Sequence, residues 1–277
     1  MQSLPLVVSF GIAAFLAPAA VRGLRQQGMV RENYRGAPVA FPAGVAIVAS
    51  ALVALVPLSL LQEVADVDVF RSELQPVLVY VLGVALLGLL DDLVGKDSPA
   101  RGWRGHARAA ASGSLSTGAL KAVGSLGIAL YALSGRGLDT WEYLLAVAVL
   151  VLATNLFNLL DLRPGRSAKA LVLLGAGLTI GSMDLDPLWA LGLFVGPILV
   201  LLPLDLRELG MLGDTGSNVI GAVAGLWLVL TLSTEAQAIA LALIAAATVY
   251  GEFRSISTLI ERTPGLRQLD SVGRTHA

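Results

Sequence analysis

The sequence predicts an all-α, polytopic integral membrane helical bundle of about nine transmembrane helices, with the N-terminus outside and the C-terminus cytoplasmic. Three observations carry that prediction. The 277-residue chain is 56% hydrophobic and only 14% charged, with a mean hydropathy of +0.77; ordinary globular proteins are about 25% charged. Apolar segments of bilayer-crossing length recur along it, and its lysines and arginines fall almost entirely on alternate connections. A chain this apolar lacks the polar shell of a soluble enzyme and the charge of a basic-patch nucleic-acid binder or disordered tail, so no nucleic-acid partner is expected. The absence of cysteine removes disulfides, thiolate metal sites and cysteine nucleophiles.

About 20 helical residues cross about 30 Å of hydrocarbon. Such segments are read at about 4–21, 38–61, 76–90, 115–133, 142–160, 170–183, 188–204, 215–233 and 236–250. Sixteen basic residues lie in 22–37, 91–114, 161–169, 205–214 and 251–277, and only Arg71 and Arg136 lie in the alternate connections. That asymmetry fixes the orientation by the positive-inside rule. Ala17-Pro18-Ala19 resembles a signal-peptide cleavage site, but no basic residue precedes the apolar run, so the first segment reads as a membrane anchor. The 30 glycines are scattered through the spans, where small residues allow close helix contact. Residues 1–250 therefore read as one transmembrane bundle and 251–277 as a cytoplasmic interfacial tail. In the tail, Phe253, Ile256, Leu259, Ile260, Leu266 and Leu269 alternate with Arg254, Arg262, Arg267 and Arg274 around Pro264. That pattern suits short helices that either adhere to anionic lipid or cap a site. Gly102 to Arg108, with Trp103, reads as a headgroup-level stretch.

Acids and amides gather at the cytoplasmic span ends. The third span closes on Asp91-Asp92, a pair that repels unless a cation bridges it or one member is protonated. A solvated helix end is the simpler reading of one aspartate; two after an apolar run point to a cation or phosphate. Lys121, inside the fourth span, either snorkels to the surface or faces those carboxylates. Asn155, Asn158 and Asp161 end the fifth span along one stripe at about 100° per residue. Lipid offers them no partners, so they bind a ligand or one another's helices. Before the eighth span, Gly213-Asp214-Thr215-Gly216-Ser217-Asn218 opens a helix whose free N–H groups favour phosphate, with a plain N-cap by Asp214 or Thr215 as the competing account. The hard oxygen groups gathered at these span ends, on Asp91, Asp92, Asn155, Asn158, Asp161 and Asp214, without cysteine suit Mg²⁺ or Mn²⁺. The nearby Arg35, Arg101, Arg104, Arg163, Arg166 and Arg254 suit further phosphate oxygens.

At these residues the chain resembles the polyprenyl-phosphate N-acetylhexosamine-1-phosphate transferase superfamily, whose members include phospho-N-acetylmuramoyl-pentapeptide transferase. The matching stretches are GLLDDLVG, NLFNLLD and LGDTGSN, in the family's order, within residues 33–221; NYRGAPVAFPAG looks like its early substrate-side loop. The resemblance implies transfer of a sugar-1-phosphate from a UDP-sugar to a polyprenyl phosphate, releasing UMP, in cell-wall or surface polysaccharide synthesis. It implies that Asp214 is a Mg²⁺ ligand and that Asp91 contacts or activates the lipid phosphate with Asp92 beside it. It further implies that Lys121 binds phosphate oxygens while Asn155, Asn158 and Asp161 position the diphosphate and nucleotide. The nucleotide sugar, the lipid, the membrane and a second copy of the chain in a homodimer are the implied partners.

Three features depart from the family, the first being nine spans where ten are usual. Leu162-Arg163-Pro164-Gly165-Arg166-Ser167 replaces a Gly-rich acidic element that helps hold uracil. His106 and His276 are the only histidines, where the family clusters several in a late loop for sugar recognition. The reaction centre is retained while donor recognition is altered. An alternative is therefore a non-catalytic or differently specific polyprenyl-phosphate-binding relative in envelope assembly. A transporter would hold its ionisable groups near the midplane, whereas these acids cluster at one face.

Overall fold

A computed structural model gives the fold and describes residues 1–95 and 117–275. It is 77% helical. In chain order the elements are α1 (Leu4–Gln26), β1 (Val30–Glu32), β2 (Pro38–Ala40), α2 (Val45–Val64), α3 (Leu74–Val94), α4 (Thr117–Leu133) and α5 (Thr140–Leu160). There follow α6 (Arg166–Ser182), α7 (Asp186–Leu206), α8 (Gly213–Thr231), α9 (Thr234–Phe253), α10 (Ile256–Arg262) and α11 (Pro264–Ser271). Each apolar segment read from the sequence coincides with one of α1 to α9. Six of these helices, α1, α2, α3, α5, α7 and α9, are long and apolar enough to cross a bilayer.

The helices surround α8. Every residue of α8 from Thr215 to Leu228 is buried, and the helix packs on α3, α5, α6 and α7. Its polar first turn lowers its hydropathy, yet it needs no lipid-facing apolar surface because protein covers it on all sides. In α9, by contrast, Ile244 is the one buried residue, so this helix lies at the periphery. Small residues set the closest approaches. Ser9 of α1 donates to the Gly192 carbonyl of α7 at 3.1 Å, a side-chain bond that replaces water in an apolar setting.

One expectation needs correction. The second span, read from 38, becomes helix only at Val45, and residues 30–40 form an antiparallel hairpin with Val30 opposite Ala40. Pro38 and Pro42 cannot donate to a helix ladder, and β2 finds partners elsewhere. Beyond it, Met211 donates to the Ala40 carbonyl at 2.9 Å, while Ala43 and Gly44 donate to Met211 and Leu212 at 2.8 and 3.0 Å. The hairpin is thus stitched to the segment leading into α8. At that seam a β-carbon on Gly44 would strike the backbone of Gly216, which has no side chain to swing aside.

Gly44→Val should therefore cost about 1–3 kcal/mol of stability by overpacking. The expected result is a thermal midpoint in detergent lowered by several degrees, while Gly127→Ala, which meets nothing within 4 Å, leaves it unchanged. Equal midpoints for the two variants would show that the seam is loose.

Candidate functional site

Asp91 and Asp92 end α3, and successive helical residues point about 100° apart, so the two carboxylates part company. Asp92 is 3% exposed. Its Oδ1 accepts the Asp214 N–H at 2.9 Å, and its Oδ2 accepts the Thr215 N–H at 2.8 Å and the Thr215 hydroxyl at 2.7 Å. No residue of α8's own leading segment caps the helix; α3 supplies the cap. The local N-cap expected of Asp214 or Thr215 is replaced by Asp92, a carboxylate suited to the positive end of a helix dipole. That contact engages both Asp92 oxygens, so the structure places Asp92 as the cap of α8, apart from the Asp91, Lys121 and Asp214 side chains. Gly213 makes the turn possible, with φ +71° and no β-carbon to strike the Asp92 carboxylate.

Asp91 instead joins Asp214 and Lys121. Lys121 Nζ lies 3.4 Å from Asp91 Oδ2 and is in closer contact with Asp214 Oδ2. The three side chains retain 21–29% exposure, so the cluster is open to ligand. The lysine is fixed by its backbone, because Gly124 and Gly83 bring α4 against Leu87 and α3 against Ile128. Of the two readings of Lys121, the structure takes the one that faces the carboxylates.

The stripe expected on α5 divides three ways. Asn158 donates to Asn218 Oδ1 at 3.0 Å, and buried Asn218 donates to the Val84 carbonyl at 3.4 Å, so α5, α8 and α3 are linked by amides. That is the interhelical role. Asn155 is exposed and does not join them. Asp161 lines a small cavity of about 50 Å³ with Asn33, Tyr34, Arg163, Asp205 and Glu208. Desolvation pushes the Asp161 carboxyl well above its ordinary range, reinforced by the charges of Asp205, Asp214 and Asp92 and opposed by Arg166.

The arginines separate likewise. Arg163 stacks over the Tyr34 ring at 4.3 Å and reaches Glu261 at 3.2 Å, beside the cavity. Arg166 is 5% exposed. Its guanidinium donates to both Asp270 oxygens at 2.9 and 3.0 Å and to Ser257 at 2.9 Å. It is therefore engaged by the tail and is not among the residues lining the cavity beside Arg163. Arg254 is exposed between α9 and α10, where its N–H closes α9 on Tyr250 at 2.8 Å. Arg35 sits 3.6 Å from Glu208. Arg101, Arg104, the rest of Gly102 to Arg108 and His276 lie outside the described residues.

Two acids were missed by the sequence reading. Glu208 accepts from Asn33 at 2.7 Å and Tyr34 at 3.2 Å, clamping the hairpin tip. Buried Asp205 accepts the Gly165 N–H at 2.7 Å and shapes the turn into α6. The available signal was the one used for Asp91, an acid closing an apolar run. The tail is docked as well. Asp270 also binds Arg274, and Lys169 closes α11 on the carbonyls of Leu269, Asp270 and Val272. The tail is thus tied to α6 while Leu259, Leu266 and Leu269 stay exposed, and an apolar groove of about 320 Å³ remains beneath it.

Among the described residues no group of three or more His, Cys, Asp or Glu side chains is placed to hold a metal ion. Asp91 and Asp214 remain as a pair of oxygen donors, which fits Mg²⁺ only where phosphate oxygens and water complete the shell. No known family model matches the chain, and no curated protein sequence matches it.

Burial pushes the Asp270 carboxyl up, but the Arg166 hydrogen bonds and the charges of Arg166 and Arg274 outweigh it and hold the group below the ordinary aspartate range. An acid depressed in the folded state stabilises above its unfolded pKa, and loses that contribution as pH falls through its folded value. Docking of α10–α11 is therefore expected to persist at neutral pH and to loosen once pH falls below about 4. A spin label at Gln268 should become mobile in that window, and Asp270→Asn should be mobile already at pH 7. An immobile label in Asp270→Asn would show that the ion cluster does not hold the tail.

Proposed function

We propose that the protein is a membrane phosphoglycosyl transferase moving a sugar-1-phosphate from a nucleotide sugar to a polyprenyl phosphate, with nine crossings and its site on the cytoplasmic side. The observation that carries the reading is the meeting of Asp91, Asp214 and Lys121 at one end of an apolar helical bundle. Three distant stretches of chain converge on charges that lipid would not tolerate unpaired. The basic residues concentrate on the connections at that same end, which favours the cytoplasm by the positive-inside rule.

Asp91 and Asp214 would hold Mg²⁺ or Mn²⁺. When bound, that ion supplies Lewis-acid stabilisation of the charge growing on the nucleotide leaving group. The chain's own residues do the rest. Lys121 donates to phosphate oxygens and neutralises charge in the transition state. Asp91 orients the lipid phosphate, whose oxygen attacks the donor's sugar-linked phosphorus as the bond to the nucleotide monophosphate breaks. Asp92 holds Asp214 in place through the start of α8, and the Asn158–Asn218 bond fixes α5 beside it. Arg163, Tyr34 and Asp161 flank the donor side.

The alternative, a relative that binds polyprenyl phosphate without turnover, is favoured by one observation: Arg166 is committed to Asp270 and leaves fewer donors for a nucleotide. Purified protein incubated with undecaprenyl phosphate, Mg²⁺ and a panel of nucleotide sugars separates the two. Release of a nucleoside monophosphate with one donor supports the transferase, while lipid binding without release supports the alternative.

Asp214→Asn should abolish that release while leaving the thermal midpoint within a few degrees; unchanged product formation would refute its place in the reaction. Arg163→Ala is expected to raise the apparent KM for the donor more than it lowers kcat. Arg166→Ala should instead mobilise the tail label, its kinetic effect following from that. Identical KM values for Arg163→Ala and the unaltered protein would remove Arg163 from the donor site.

A further inference from the structure

We infer that Lys121 is an internal competitor for the divalent ion, so that the site takes metal firmly only together with a phosphate-bearing lipid. The inference rests on the metal assignment proposed for Asp91 and Asp214. Its basis is the geometry of one atom. Lys121 Nζ contacts Asp91 Oδ2 and Asp214 Oδ2 together, and those are the two oxygen donors left once Asp92 is committed to capping α8. A cation already bridges the pair.

The charge arithmetic favours coupling. Two carboxylates and one ammonium carry net −1, a weaker attraction for a divalent cation than the −2 of the bare pair. Like charges this close repel across a partly buried site, so a nearby ammonium opposes metal entry. Two carboxylates also fall short of the ligands Mg²⁺ needs, and phosphate oxygens normally complete its shell. An incoming lipid phosphate changes both terms. It offers oxygens to the ion and a new anionic partner to Lys121, whose four-carbon stem lets the ammonium swing while the α4 backbone stays packed on α3. The lysine thus leaves the carboxylates for the phosphate as the metal arrives. By linkage, the phosphate tightens metal binding by the factor by which metal tightens phosphate binding. The arrangement also leaves neither charged carboxylate bare while the site awaits substrate.

The test counts bound Mn²⁺ by electron paramagnetic resonance, using the full chain in detergent micelles with and without undecaprenyl phosphate and subtracting protein-free micelles. The unaltered protein is expected to bind Mn²⁺ weakly alone and about tenfold more tightly with the lipid. Lys121→Met should bind Mn²⁺ alone about tenfold more tightly than the unaltered protein, with a smaller further gain from lipid. Lys121→Gln repeats the measurement with a polar side chain of similar length, and Lys121→Arg, which keeps the charge, should stay weak. Adding Asp214→Asn to Lys121→Met should erase the gain. If the unaltered protein binds Mn²⁺ with lipid but folded Lys121→Met and Lys121→Gln bind it no more tightly alone, the competitor role is overturned and the metal assignment stands. If no variant binds Mn²⁺ in any arm while all remain folded, the metal assignment fails and takes this inference with it.

Discussion

A helix that begins inside a protein leaves backbone N–H groups that no solvent reaches, and α8 begins in such a place. Its first turn is surrounded by α3, the hairpin and α2, and its leading segment offers no side-chain cap. Asp92 resolves the problem from a different helix by accepting two of the N–H groups and the Thr215 hydroxyl. An unpaired buried donor costs about 1–3 kcal/mol, so the contact ties the end of α3 to the start of α8 with real force. The position of Asp214, one residue into α8, follows from it. So does that of Gly213, whose left-handed turn passes where a side chain would strike the carboxylate.

The long elements were legible in the sequence because a bilayer-length apolar run has few other uses. The central place of α8 was not. Its polar first turn lowers its hydropathy, but nothing local tells a helix wrapped in protein from a less apolar one facing lipid. The hairpin was hidden for a different reason: strands of three residues, one charged and the other begun by proline, give no period of two long enough to read. At the site, the convergence of Asp91, Lys121 and Asp214 followed from where charge can survive near hydrocarbon. The fate of Asp92 did not, because a cap donated across 122 positions of sequence leaves no local signature. Arg166 taught the same lesson. Arginine beside a glycine-containing turn reads as a phosphate ligand until Asp270, 104 residues later, is found occupying it.

The connections at this end of the bundle form one structure. The hairpin tip is held by Glu208 and faces Arg163, which also reaches Glu261 of α10. Asp270 holds α11 to the start of α6 through Arg166, and Arg274 reaches the Pro164 carbonyl at 3.0 Å. The loop from Asp161 to Gly165 is thus braced by the hairpin on one flank and by the tail on the other. Such bracing limits how far Asp161 and Arg163 can drift.

Two adjacent aspartates look in sequence like one repelling pair, yet in the fold each has its own positive partner: Lys121 for Asp91 and the N-terminus of α8 for Asp92. The roughly 100° between successive helical side chains makes this division unavoidable. It also links stability to chemistry. Because Asp92 grips the backbone of Asp214 itself, the separation of the Asp91 and Asp214 carboxylates is set by a hydrogen bond and one helical step. Helix packing alone, with its looser tolerance, could not fix it so closely. In the proposed site, where Asp91 and Asp214 would share one ion, Asp92 supplies that definition through the backbone of Asp214.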